Sequence, residues 1–161
     1  MNRMGVLILT FGLTACAAIT QAQLVEKTAL TLDGAKKIAA VAEAKAKAEG
    51  ARVVIAVVDE SGSLLLLERL DDTQVASVNV GIDKARTAAI YRRPSKVFEE
   101  QVKNGRISAL ALHGAVALQG GVPILVNGKV IGAIGVSGET PAQDEDIAIA
   151  GAAVATSFAT H

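Results

Sequence analysis

Lys84, Thr87 and Tyr91 stand three and four residues apart, the spacing that returns a helix to one side, so an amine, a hydroxyl and a phenol share one stripe. The stripe is expected opposite Val78, Ile82, Ala85 and Ala89, displayed away from the core toward a ligand, a subunit contact or solvent. A second grouping is acid and amine. Asp59 after a buried strand, Lys84, and Asp144 with Glu145 at a helix start could move a proton on a small hydroxy or oxo acid. Each also has an ordinary use: Asp59 in an Asx turn, Lys84 on a helix surface, Asp144 at a helix N-terminus. His113 sits between Leu112 and Gly114 in an apolar stretch, either as a ligand or as a hydrogen-bonded structural histidine. Arg86, Arg92 and Arg93 could grip carboxylates in bidentate fashion, or be solvated charge near a helix C-terminus.

Other motifs narrow the chemistry by what they fail to match. Gly132, Gly135 and Gly138 recur every three residues, which is not the dinucleotide fingerprint, and Glu139 stands where a nucleophile elbow needs its second glycine. A glycine within a strand instead lets a ligand or a helix approach the backbone closely. Gly120-Gly121 before Pro123 could form an anion-accepting nest or a sharp turn. The single cysteine, Cys16, excludes an internal disulfide and thiolate zinc sites, and two histidines as far apart as His113 and His161 are a poor start for a structural metal site. With no dedicated nucleophile, metal cluster or nucleotide loop in view, binding is favoured over catalysis.

The elements that must position these residues follow from periodicity and punctuation. Ala35, Ile38, Val41 and Ala42 predict a helix over Leu32 to Glu49, closed by Gly50. Val53 to Val58 and Leu64 to Leu70 flank the Asp59-Glu60-Ser61-Gly62 turn and predict a hairpin. Asp72 or Thr73 is expected to cap a second helix reaching Tyr91, and Ser95 a third ending at Lys103. Ile107 to Leu118 has no decisive period and is expected to be a connection with some helix. Ile124 to Val126 and Val130 to Val136 around Asn127-Gly128 predict a second hairpin. Thr140-Pro141-Ala142-Gln143 should cap a last helix running to about Phe158. The order α-β-β-α-α-β-β-α with two tight hairpins requires a mainly antiparallel sheet with helices laid on it, an α+β fold.

With 16 basic and 16 acidic side chains, no net charge and 2% aromatic residues, the chain has neither the field nor the stacking surface for nucleic acid. An apolar fraction of 51% in 161 residues suits one folded domain. The basic start Met1 to Arg3 and the apolar run Met4 to Ile19 read as a secretory signal, since the run is shorter than the roughly 20 residues that cross a bilayer. Two routes follow. Cleavage after Ala22 would leave residues 23–161 as a free periplasmic or secreted domain, whereas Leu13-Thr14-Ala15-Cys16 resembles a lipobox that would anchor Cys16 by lipid in the outer membrane.

Four stretches together resemble a known family: Ile55-Ala56-Val57-Val58-Asp59, Asp83-Lys84-Ala85-Arg86-Thr87-Ala88-Ala89, Gly120-Gly121-Val122-Pro123-Ile124, and Ile131-Gly132-Ala133-Ile134-Gly135-Val136-Ser137-Gly138 with Gln143-Asp144-Glu145. This is the GlcG/HbpS family of exported haem-binding and glycolate-utilisation type domains, also found beside cobalamin adenosyltransferases. The resemblance implies a profilin-like fold, homo-oligomers and, in some members, reversible haem binding. It also implies a threonine meeting the iron, for which Thr87 is the candidate here. Haem needs an apolar slot, an axial donor and cations for its propionates. Outside the signal the donors are His113, Tyr91, Thr87 and His161, and the cations are Arg86, Arg92 and Arg93 with Lys84 nearby. The expectation is a haem or small-acid binding protein. An enzyme using Asp59, Lys84 and Asp144, or a ligand-free assembly or sensor-partner module, are the alternatives.

Overall fold

β-Branched residues with turn chemistry at either end make β1, Val54–Asp59, the central strand in the computed structural model, which describes residue 23 and residues 25–158. The signal segment with Cys16 and the cut after Ala22, and His161, lie outside the described residues. β1 pairs on one side with β2, Leu64–Arg69, and on the other with β4, Lys129–Ser137; β4 in turn carries β3, Gly121–Val126. Every pairing in the order β2-β1-β4-β3 is antiparallel. Pro123 is tolerated because β3 is an edge strand, where its missing N–H disturbs no ladder. The β3–β4 turn is made by Asn127 and Gly128, both at positive φ.

Alternation along β1 sends Ile55 and Val57 to one face and Ala56 and Val58 to the other. The first face is covered by α1, Leu32–Ala48, and α4, Pro141–Ala153, which pack on each other. The second is covered by α2, Ser77–Tyr91, lying across β1, β4 and β3, and α3, Lys96–Lys103, follows it. Gly135 in β4 allows that closeness: a Cβ there would overlap the Gly81 carbonyl oxygen and stand 2.9 Å from the Ala85 Cβ. The expected cap holds for α4, where Thr140 accepts from the Gln143 N–H at 3.3 Å, and α1 has a cap of the same kind that was not expected, the Thr31 hydroxyl accepting from the Gly34 N–H at 3.1 Å.

Three expectations are corrected. α2 begins at Ser77 and not at Asp72 or Thr73, because the Thr73 hydroxyl donates to the Val53 and Leu70 carbonyls and Asp72 takes positive φ, fastening this stretch to the sheet. Ser95 does not cap α3; its hydroxyl is used elsewhere. The last α-helix stops at Ala153, and a 3₁₀ turn, Val154–Ser157, completes the distance to Phe158. Ile107–Ala111 is also a 3₁₀ turn, and residues 112–120 run irregularly into β3. Among the described residues no helix is long and apolar enough to cross a membrane.

Candidate functional site

The stripe expected to look outward is largely buried. Thr87 has no exposed surface and Lys84 very little, because residues 112–121 cross over this side of α2. Spacing identified the side but not its cover. Thr87 Oγ1 donates to the Asp83 carbonyl at 2.7 Å and accepts from the Val116 N–H at 2.9 Å, and with no exposed surface it presents no face to the iron for which the resemblance made it the candidate. The half-buried Tyr91 phenol donates to the His113 carbonyl at 2.8 Å, and its ring meets Phe98 edge-on at 5.1 Å.

Lys84 and Asp144 do come together, as the acid and amine reading requires. Lys84 Nζ lies 2.7 Å from Asp144 Oδ2 and donates to the Val136 carbonyl at 3.0 Å, while Asp144 Oδ1 accepts from the Glu139 N–H at 3.0 Å. Their side chains are 5% and 3% exposed, which closes the pair to a substrate. Burial pushes the Asp144 carboxyl up, against the pull of the Lys84 ammonium and the Glu139 and Gly138 N–H groups. Asp59 is not part of this group. It sits in the β1–β2 turn as an Asx turn, its Oδ1 accepting from Ser61 N–H at 2.8 Å and Ser63 N–H at 2.9 Å. Burial opposes its ionisation, yet the Ser61 hydroxyl and the Ser63, Ser61 and Gly62 N–H groups hold the carboxyl below its usual range.

Gly120 and Gly121 form the lid of the Lys84–Asp144 pair and not an anion nest. A Cβ on Gly120, at φ +121, would come within 2.9 Å of Lys84 Nζ and 3.1 Å of the Asp144 Cβ. The Gly121 N–H is taken by Ser95 Oγ at 2.8 Å, and the Gly120 carbonyl by the Val136 N–H at 2.9 Å. Their assignment as ligand contacts is therefore corrected to close packing, Gly120 at the end of the irregular segment and Gly121 opening β3 against Lys84. Sequence reasoning missed the neighbouring ties: Glu99 Oε2 accepts from the Gln119 N–H at 2.6 Å, and Glu145 Oε2 accepts from Gln119 Nε2 at 2.8 Å and Lys96 Nζ at 3.1 Å. The signal was present, since Thr87, Tyr91, Ser95 and Glu99 repeat every four residues past Pro94.

The outer surface of the crossing segment is different in kind. Ile107, Leu110 and Leu118 are 65%, 60% and 45% exposed, and Ile90 of α2 is 38% exposed beside Gly114, whose added Cβ would meet it at 3.2 Å. His113 is exposed among them, and its imidazole joins no hydrogen bond among the described residues. Arg92 and Arg93 are exposed at the end of α2, with Arg93 Nε donating to the Tyr91 carbonyl at 3.1 Å, while Arg86 is engaged by Asp83 at 2.9 Å. Arg92 also lines a cleft of about 510 Å³ with Lys129, Glu60, Leu125 and Ile131. The described residues hold no cluster of three or more His, Cys, Asp or Glu suited to a metal ion.

Known proteins share this sequence pattern and this fold. Residues 30–153 match the family model described as "Haem degrading protein HbpS-like". Protein GlcG of Escherichia coli (strain K12) is 44% identical over 111 residues, which cover 69% of this chain and 83% of that protein. The crystal structure of HbpS superposes with a TM-score of 0.76 at 33% identity, covering 85% of this chain and 97% of that one. PduOC, solved as a haem complex, superposes with a TM-score of 0.72 at 26% identity, covering 83% of this chain and 99% of that one.

Proposed function

We propose that this chain, which belongs to the HbpS-like family, binds haem or a related tetrapyrrole reversibly on the outer surface of Ile107–Leu118, as an exported homo-oligomer. One observation carries the reading: the histidine of the described residues stands exposed and unengaged on a segment whose apolar side chains also face outward. The donor set fits the group. A neutral imidazole is an ordinary axial donor to haem iron, and exposed Ile and Leu side chains suit the face of a macrocycle. His113 would hold the iron, Ile90, Leu110 and Leu118 would exclude water from one face, and Arg92 and Arg93 would meet the propionates. Bound haem would supply an iron centre; the chain's own part is to hold and release it.

A surface of this kind leaves the other face of the ligand uncovered, which favours a second copy packed against the first. The enzyme alternative loses its residues, since Lys84 and Asp144 are sealed and Asp59 is remote from them in the hydrogen-bond network. Export into the periplasm or medium is proposed from Met1 to Ala22, with lipid anchoring at Cys16 as the other outcome; mass spectrometry of the native N-terminus decides between them. Titration of the purified mature chain with hemin, followed in the Soret region, tests the binding. The expected result is saturation at one haem per subunit or per dimer, weakened at least ten-fold by His113→Ala. No spectral change at micromolar hemin overturns the reading.

A further inference from the structure

We infer that Thr87, Tyr91, Ser95 and Glu99 are positioning residues whose shared task is to fix the backbone that presents His113, an inference that rests on the binding surface proposed above. Residues 112–120 form a strap over α2. They belong to no helix or strand, and their own backbone bonds are few and long, with the Ala115 N–H on the Leu112 carbonyl at 3.3 Å. Ala115, Val116 and Ala117 are only half-buried, and Leu118 and His113 are exposed, so burial grips the segment weakly.

β4 holds the end of the segment through the Val136 N–H on the Gly120 carbonyl at 2.9 Å, and the side-chain ties to its backbone come from one series that runs from α2 through Ser95 into α3. Tyr91 takes the His113 carbonyl, Thr87 the Val116 N–H, Ser95 the Leu118 carbonyl and Gly121 N–H, and Glu99 the Gln119 N–H. Arg92 in the left-handed region and Pro94 turn the chain between the two helices, and the spacing of four carries across that turn. In every case the partner in the segment is a backbone group. Gln119 Nε2, on Glu145, is the one strap side chain tied among the described residues, which leaves the imidazole and the apolar groups free for a guest. Fixed donors raise affinity because the ordering is complete before binding.

The test compares Thr87→Val, Tyr91→Phe and Thr87→Ser in the full mature chain, with hemin as probe. Amide exchange at Val116 and Gln119 in the haem-free protein reads strap opening, and exchange of β1 amides reports whether the fold is intact. Thr87→Val and Tyr91→Phe should speed strap exchange and weaken hemin about five-fold each, the worth of one hydrogen bond, while Thr87→Ser restores both. The spectrum of the bound complex should broaden or lose its single axial signature in the first two variants and regain it in the third. Faster strap exchange with unchanged affinity and spectrum overturns the positioning role and leaves haem binding standing. Unchanged exchange overturns the fastening itself. If the unaltered chain forms no hemin complex, the binding reading falls and the positioning role with it, a failure told apart from the others by its appearance before any substitution is made.

Discussion

The two faces of the sheet are gripped in different ways. Toward α1 and α4 the interior is built from large aliphatic side chains, with Ile38, Ile55, Ile134, Ile147 and Val136 fully buried. Toward α2 it is built from Ala56, Ala85, Ala88, Ala89 and Ala133 with Val58. Burying each large side chain stabilises by roughly 1.5–3 kcal/mol, so the first face supplies most of the apolar driving force. The second brings helix and sheet backbones together and adds polar ties: Lys84 to Asp144, and the ladder from Thr87 to Glu99. Volume secures one side and geometry the other. The surface proposed to bind a ligand belongs to the side held by geometry, where displacement of one tie moves a donor without emptying the core.

If the α2 face depends on its polar ties, breaking the strongest should cost as much as any core truncation. Asp144→Ala leaves the Lys84 ammonium buried without its partner and should lower stability by about 3–5 kcal/mol in urea denaturation. Replacing both residues, Lys84→Met with Asp144→Leu, should recover much of that loss, since the penalty lies in the unpaired charge. A double variant as unstable as the single one would mean that the Val136 carbonyl and Glu139 N–H bonds, not the charge pair, set the cost.

Neighbouring positions on β4 sharpen the contrast, because Ile134 and Gly135 point to opposite faces. Ile134→Ala should cost about 2–5 kcal/mol by leaving a cavity against α1 and α4. Gly135→Ala adds a methyl yet should cost about 1–3 kcal/mol, since its Cβ overlaps the Gly81 carbonyl and α2 must lift. Amide exchange across α2 should rise selectively in the glycine variant. A stable Gly135→Ala protein with α2 exchange unaltered would refute the close-approach account.

What the sequence made legible follows the same division. The hairpin at Asn127-Gly128, the Thr140 cap and the aliphatic strands were readable because local chemistry and period decide them. The face of Lys84, Thr87 and Tyr91 was readable as a side of a helix, but period cannot say what lies on that side, and the covering residues 112–121 have no period of their own. The meeting of Lys84 with Asp144 was foreseeable from their type and order; its closure depends on Gly120 and Gly121 packing over it, a tertiary fact. His113 was identifiable as a scarce donor. That Tyr91 engages its backbone carbonyl and not its imidazole is a tertiary fact that residue type does not reveal.

The smallest expected effect separates the strap from the core by pH. Burial opposes ionisation of Glu99, but the Lys103 ammonium and the Gln119 N–H outweigh it and hold the carboxyl below the usual range. A carboxyl depressed on folding contributes stability that is complete above its unfolded value, about 4.3 for glutamate, and is lost as pH falls through the lower folded value. Asp59 has the same sign in its turn, and Asp144, raised by burial, has the opposite one and offsets part of the loss. As pH falls below the ordinary glutamate value the Gln119 end of the strap should therefore loosen while the sheet remains intact. In an NMR titration the Gln119 amide should shift with the Glu99 carboxyl and at lower pH than a free glutamate, and Glu99→Gln should abolish that shift. A Gln119 amide that moves only together with β1 amides would mean that strap and core release as one unit, and the distinction between the two faces would not extend to their stability.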